Sequence, residues 1–251
     1  MPILGGLGVA SSRGTRVGDL PVLFVTSGLV LNMDASTYSS GTTWTSTVGG
    51  TNFSISASAY NSSGPKYMDF NGSFGCAKKT DSDFIVSGDV TVFCWTRVKQ
   101  STAEWRTLLR GLSSGGDHQV IVEAGSYRLG MYDNTNSTGY NDSGFLQTSL
   151  PGWNTGQWNM MVWRWNNGAS PYYNFSYNDT PNVIRGSNTS VNSRFKHGFC
   201  SIGAYNNGVQ TDPSNASQYW GDIAHLGVYN RYLSDSEVLN NFQATRGRYG
   251  V

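Results

Sequence analysis

"VYNRYLSDSEVLNN", residues 228–241, is the most densely patterned stretch in the chain. Ser234 followed by Glu237 is a capping box, in which the serine oxygen accepts from the amide of the third helical position and the glutamate reaches back to the amide of Ser234. Leu233 before the cap and Val238 at the fourth helical position are spaced as a hydrophobic staple, and Asp235 sets negative charge against the positive end of the helix dipole. A helix therefore starts here, directly after the strand pattern of "YWGDIAHLGVYNR". Glu237 is thereby assigned a structural role.

Working outward, the rest of the chain reads as strand and turn. In "VTVFCWTRVK", residues 90–99, Val90, Val92, Cys94, Thr96 and Val98 fall on one face, while Phe93 and Trp95 share the other with Arg97 and Lys99. That period of two is a strand. "HQVIVEAG" and "SYRLGMYDN" meet at Ala124-Gly125 as a hairpin, and "WNMMVWRWNNGASPYYNFSYND" gives a second, with Asn167-Gly168 supplying the positive-φ turn positions. Residues 38–64 and 133–156 read as loop-rich, without helical period. The expectation is about ten to fourteen short antiparallel strands forming an all-β, two-sheet jelly-roll sandwich with one short C-terminal helix across an edge or end, Val238, Leu239 and Phe242 facing inward.

Composition fits that class. The 251 residues suffice for one large β domain, and 31 glycines with abundant Ser, Thr and Asn supply turns. With 13% charged residues and a net charge of +1, no electrostatic case exists for nucleic acid or for an anionic membrane surface, and no apolar run is long enough to span a bilayer. Cys76, Cys94 and Cys200 are odd in number and lack Cys-x-x-Cys spacing, so buried free thiols are expected. "MPILGGLGVASSRGTRVG" has no basic residue ahead of its apolar run and makes a poor signal peptide, which points to synthesis in a cytoplasm. Residues 1–20 are read as an N-terminal anchoring arm and residues 21–251 as the domain.

The closing segment "WGDIAHLGVYNRYLSDSEVLNNFQATRGRYG", residues 220–250, resembles the end of laminin G-like, concanavalin A-like jelly-roll domains. "GLVLNMDASTYSSGTTWTSTVGGTNFSI", "YMDFNGS" and "VTVFCWTRVK" resemble their earlier strands, so the likeness covers residues 28–250. The Gly-Ala-Ser-Arg arm and the "ATRGRYG" ending are similar to laminin G-like proteins of marine bacteriophages and large viruses. That resemblance implies a virion structural protein, a capsid decoration or fibre component made in the host cytoplasm, with a major capsid protein or other virion proteins as partners, and a homo-oligomeric state. The alternative it implies is a lectin or host-attachment module for surface glycans.

Site chemistry narrows the choice further. Retaining glucan hydrolases of this fold place two acids on one strand face, and none of Glu104, Glu123 and Glu237 has such a partner; Asp81 and Asp83 alternate, but in an apparent loop after two lysines. His118, His197 and His225 sit in no nucleophile elbow, so the chain is read as non-enzymatic with no catalytic residue, metal ligand or cofactor. A structural calcium would have to draw on Asp117, Asp133, Asp142 or Asp222. Sugar binding needs ring faces beside amides and hydroxyls, which Tyr132, Tyr140, Asn141, Tyr205, Asn206 and Asn207 offer in two loops. Asn-x-Ser/Thr sequons such as Asn61, Asn136 and Asn215 follow from the composition and carry no argument.

Overall fold

The computed structural model describes residues 22–56, 59–71, 76–79, 84–100, 105–110, 118–125, 127–131, 156–166, 173–186, 196–199, 201–203 and 218–251. Seventeen strands run through them. In chain order they begin with β1 (Leu29–Asp34), β2 (Thr43–Thr45), β3 (Asn52–Ser56), β4 (Ala59–Asn61), β5 (Tyr67–Asn71) and β6 (Cys76–Lys78). They continue with β7 (Phe84–Ser87), β8 (Val90–Val98), β9 (Trp105–Arg110), β10 (His118–Glu123), β11 (Arg128–Met131) and β12 (Asn159–Trp165). The last five are β13 (Tyr173–Tyr177), β14 (Thr180–Gly186), β15 (Lys196–Phe199), β16 (Ser201–Ile202) and β17 (Trp220–Tyr229), and the helix α1 (Asp235–Thr245) follows.

One sheet has the order β14-β13-β12-β8-β17-β5-β4, and β1 also pairs with β17. The second has the order β11-β10-β9-β16-β6-β3-β2, and β15 pairs with β7 as a separate ribbon. All named strand pairs are antiparallel. The ten residues of β17 hold β8 along one edge and, on the other, β5 against Trp220–Ile223 and β1 against His225–Tyr229. The all-β sandwich expected from the sequence is what the chain adopts. Strands β2, β3 and β4 lie in residues 38–64, which read as loop; with only three to five residues each, they are too short to show alternation.

Period two in β8 sorts its side chains as anticipated. Val90, Val92, Cys94 and Val98 join the core between the sheets, with Met161, Trp163 and Trp165 of β12 and Leu108, Val120 and Val122 opposite. Phe93 and Trp95 face outward, yet they are fully buried with Met160, Val162, Leu233, Val238 and Phe242. The helix thus lies across the outer face of the first sheet, and the expected edge or end position is corrected. An apolar stripe on that face leaves no better place for the inward side of α1, and burying one such aromatic contributes about 1.5–3 kcal/mol. Gly227 makes the stripe fit, because a Cβ there would lie 2.1 Å from the Phe93 ring.

Long-range hydrogen bonds fix this cover. The capping box is formed: Ser234 Oγ accepts from the Glu237 amide at 3.3 Å and Glu237 Oε2 accepts from the Ser234 amide at 2.9 Å. Arg231 adds a bidentate pair with the Glu237 carboxylate at 2.7 and 2.9 Å, which holds that carboxyl down at about 2. The Trp95 indole donates to Thr245 Oγ1 at 2.8 Å and stacks on Tyr249, with centroids 4.2 Å apart. Residues 24–27 run over the same face: the Val25 amide donates to Asn241 Oδ1 at 2.8 Å, its carbonyl accepts from Tyr229 Oη at 2.7 Å, and the Ser27 carbonyl accepts from Arg231 at 2.8 Å. Residues 1–20, the expected arm, lie outside the described residues.

Candidate functional site

The helix covers one end of this outer face and, among the described residues, does not extend over the other. There the alternation of "TRVK" at the end of β8 meets that of "WGD" at the start of β17. The registers Asp222↔Arg97, Gly221↔Val98, Asp222↔Asp69 and Trp220↔Asn71, with Val98, Met68, Phe70 and Ile223 turned into the core, put Arg97, Lys99, Asp222, Asp69, Tyr67 and Trp220 on the outside. Trp220 is 44% exposed, and it is the one exposed large aromatic among the described residues.

The charges around it are organised rather than loose. Asp222 is fully buried, and its Oδ2 accepts from Arg97 Nε at 2.7 Å, with Arg97 Nη2 at 2.5 Å. Lys99 Nζ lies 2.7 Å from Asp222 Oδ1 and 2.8 Å from Asp69 Oδ1. The Arg97 guanidinium is flanked by the Tyr67 ring at 5.2 Å and the Trp158 ring at 5.1 Å, while Asn61 donates to Tyr67 Oη at 2.8 Å. Burial works against the charge of Lys99, but the Asp222 and Asp69 carboxylates outweigh it and hold its pKa above the ordinary lysine value. The patch therefore offers a ring face beside a carboxylate and an ammonium whose positions are set from below.

Elsewhere a concavity of about 310 Å³ lies along residues 37–47, with Thr37, Tyr38, Ser39, Ser40 and Thr43 among its lining. Tyr38 packs edge-on to Tyr60, and the nearby Trp44 is fully buried, so no open ring face is available beside Tyr38 in it. It is the weaker candidate for ring stacking.

The residues singled out from the sequence fare unevenly. Tyr132, Tyr140, Asn141, Tyr205, Asn206 and Asn207 lie outside the described residues, as do Asp81, Asp83, Glu104, Asp117, Asp133 and Asp142. Asp222, one of the four acids available to a structural calcium, is held by two cations. Among the described residues no three His, Cys, Asp or Glu side chains converge. Glu123 is fully buried and paired with Arg128 at 2.5 Å, and Glu237 is the cap. His225 is buried, its Nε2 2.6 Å from Asn32 Oδ1 and its ring between Phe24 and Phe93; burial pushes its pKa down to about 4. Cys94 is a buried free thiol, as expected. Sequence reasoning passed over Trp220, Asp69, Arg97 and Lys99, although charges at alternate positions on an otherwise apolar strand face were the available signal.

No family model matches the chain, and no curated protein matches it by sequence. Among solved structures it is similar to Trypanosoma rangeli sialidase, with TM-score 0.60 and 14% identity over 89% of this chain and 34% of that one. It is also similar to the botulinum neurotoxin serotype D/C VPI 5993 binding domain, with TM-score 0.58 and 12% identity over 87% of this chain and 52% of that one. The serotype G binding domain gives TM-score 0.55 and 13% identity over 85% and 50%. The chain thus spans about a third of the sialidases and half of the toxin domains it matches. The expectation that it is not an enzyme is overturned here: the same fold recurs inside sialidase chains, so lacking an alternating acid pair does not mark a sandwich as non-enzymatic. At these identities the likeness concerns the fold alone, and that fold is a β-sandwich of the jelly-roll, lectin-like kind.

Proposed function

We propose that the chain is a carbohydrate-binding module whose sugar lies on the end of the outer sheet face that the helix does not reach. One observation carries the reading: Trp220 stands exposed on a rigid strand, beside a fixed carboxylate and ammonium. Sugars are held by stacking of their C–H faces on aromatic rings while hydrogen-bonding groups at the ring's edge orient them. A strand supplies that geometry more rigidly than a loop. The fold neighbours lend support, since one is a sialidase in complex with sialic acid and others are toxin binding domains. The test is a glycan array of the native chain beside Trp220→Ala and Tyr140→Ala. Saturable binding lost in Trp220→Ala and kept in Tyr140→Ala is the expected result; the reverse pattern moves the site to the loops.

A second reading concerns where the module is displayed. The backbone of residues 24–27 is hydrogen-bonded to the side chains of Tyr229, Arg231 and Asn241, and Val22 and Leu23 leave it 45% and 74% exposed. We propose display on a virion, with residues 1–20 as the anchor to a capsid protein; a tie at the base would let such an arm transmit load to the folded domain. Deleting residues 1–20 is expected to leave a folded domain that no longer joins particles, and undiminished incorporation would refute the anchor.

A further inference from the structure

We infer that the Trp220 site is built for an uncharged sugar and discriminates against acidic ones; this rests on the carbohydrate reading above and specifies its ligand. Among the described residues two cations, Arg97 and Lys99, face two carboxylates, Asp69 and Asp222, and they are matched within the patch. A sugar carboxylate arriving there needs a cation whose charge is not already offset by a neighbouring carboxylate. Arg97 directs Nε and Nη2 to Asp222, and Tyr67 and Trp158 pack on its guanidinium. Lys99 is divided between two carboxylates, and Asp69, 31% exposed, would itself face the incoming anion.

A neutral hexose meets no such conflict. Its apolar face covers Trp220, the free lone pairs of Asp69 accept from ring hydroxyls, and the Lys99 ammonium donates its remaining proton to a third. Asp222 is a positioning residue: buried and out of reach of ligand, it fixes Lys99 and Arg97 from beneath. The preference is thus set by pairing geometry rather than by net charge. It separates this patch from the sialidase neighbour, whose ligand, sialic acid, is an acidic sugar.

The test is calorimetric titration with methyl glycosides and short oligosaccharides of neutral hexoses, beside glucuronic acid and N-acetylneuraminic acid glycosides. Neutral ligands should bind at least about tenfold more tightly than acidic ones, with less than about twofold change between low and physiological salt. Asp69→Asn, a change at a half-exposed site, frees one side of Lys99; it should weaken neutral ligands and bring acidic ones up by roughly fivefold, and raised salt should suppress that gain. Acidic glycosides preferred by the native chain, or an Asp69→Asn variant with the native ratio, overturns the inference while leaving sugar binding intact. No binding of any glycan, or binding indifferent to Trp220→Ala, overturns the carbohydrate reading and the inference with it.

Discussion

Strands β8 and β17 present one continuous outer face, and its two ends carry tryptophans in opposite circumstances. At one end Trp95 lies under α1 and Tyr249 with its indole proton given to Thr245; at the other Trp220 stands open beside Asp69 and Lys99. The strands and the period are the same, so the difference comes from what the chain does after residue 230. The helix and residues 24–27 cover the end where Phe93, Trp95, Met160 and Val162 make an apolar stripe, and stop where the stripe gives way to Arg97 and Asp222. Covered, an aromatic ring stabilises the fold; uncovered and flanked by hydrogen-bonding groups, it is available to a ligand.

Mutation is expected to cost most at the covered end. Phe242→Ala, deep in the cover, is expected to cost about 3–5 kcal/mol in urea unfolding. An unchanged midpoint would show that α1 is an ornament rather than a cover.

Next in size is the acid response of the same end. Burial depresses the His225 pKa from 6.5 to about 4, against the nearby Asp34 carboxylate and with the nearby Arg248 guanidinium. Below pH 6.5 the unfolded chain takes up a proton that the folded chain refuses until about 4, so this contribution is complete above pH 6.5 and lost as pH falls towards 4. The loss is about 3 kcal/mol, and His225→Phe should flatten the stability profile over that window. A native profile that is already flat there contradicts the buried neutral imidazole.

Arg231→Ala removes the bidentate partner of Glu237 and the bond to the Ser27 carbonyl, with an expected cost of about 1–2 kcal/mol. A double-mutant cycle with Glu237→Gln should return most of that cost as coupling. Smallest is Trp220→Ala, which should move stability by less than about 0.5 kcal/mol while abolishing glycan binding. A large loss of stability there would return Trp220 to the fold and blur the contrast between the two ends.

Local chemistry was the part legible in the sequence. Ser234 and Glu237 are three residues apart, and the two faces of β8 follow from alternation alone. The site was not legible, because its members come from three strands: Lys99 meets Asp69 across 30 positions, and Arg97 meets Asp222 across 125. Asp222 alone looks like any acid available to a cation; only pairing of β17 with β5 and β8 shows that lysine and arginine already hold it. The same holds for Asp34 and Arg248, joined at 2.7 and 2.9 Å over 214 positions.

By itself the sequence determined the class of fold, the start of the helix and the faces of its longest strand, since each depends on interactions within one turn or on alternation along one strand. Tertiary structure decided where the helix lies, that residues 24–27 are held beside it, and which tryptophan remains outside. Those outcomes depend on which apolar surface is left uncovered once the sheets have paired, a quantity that exists only after distant strands have met.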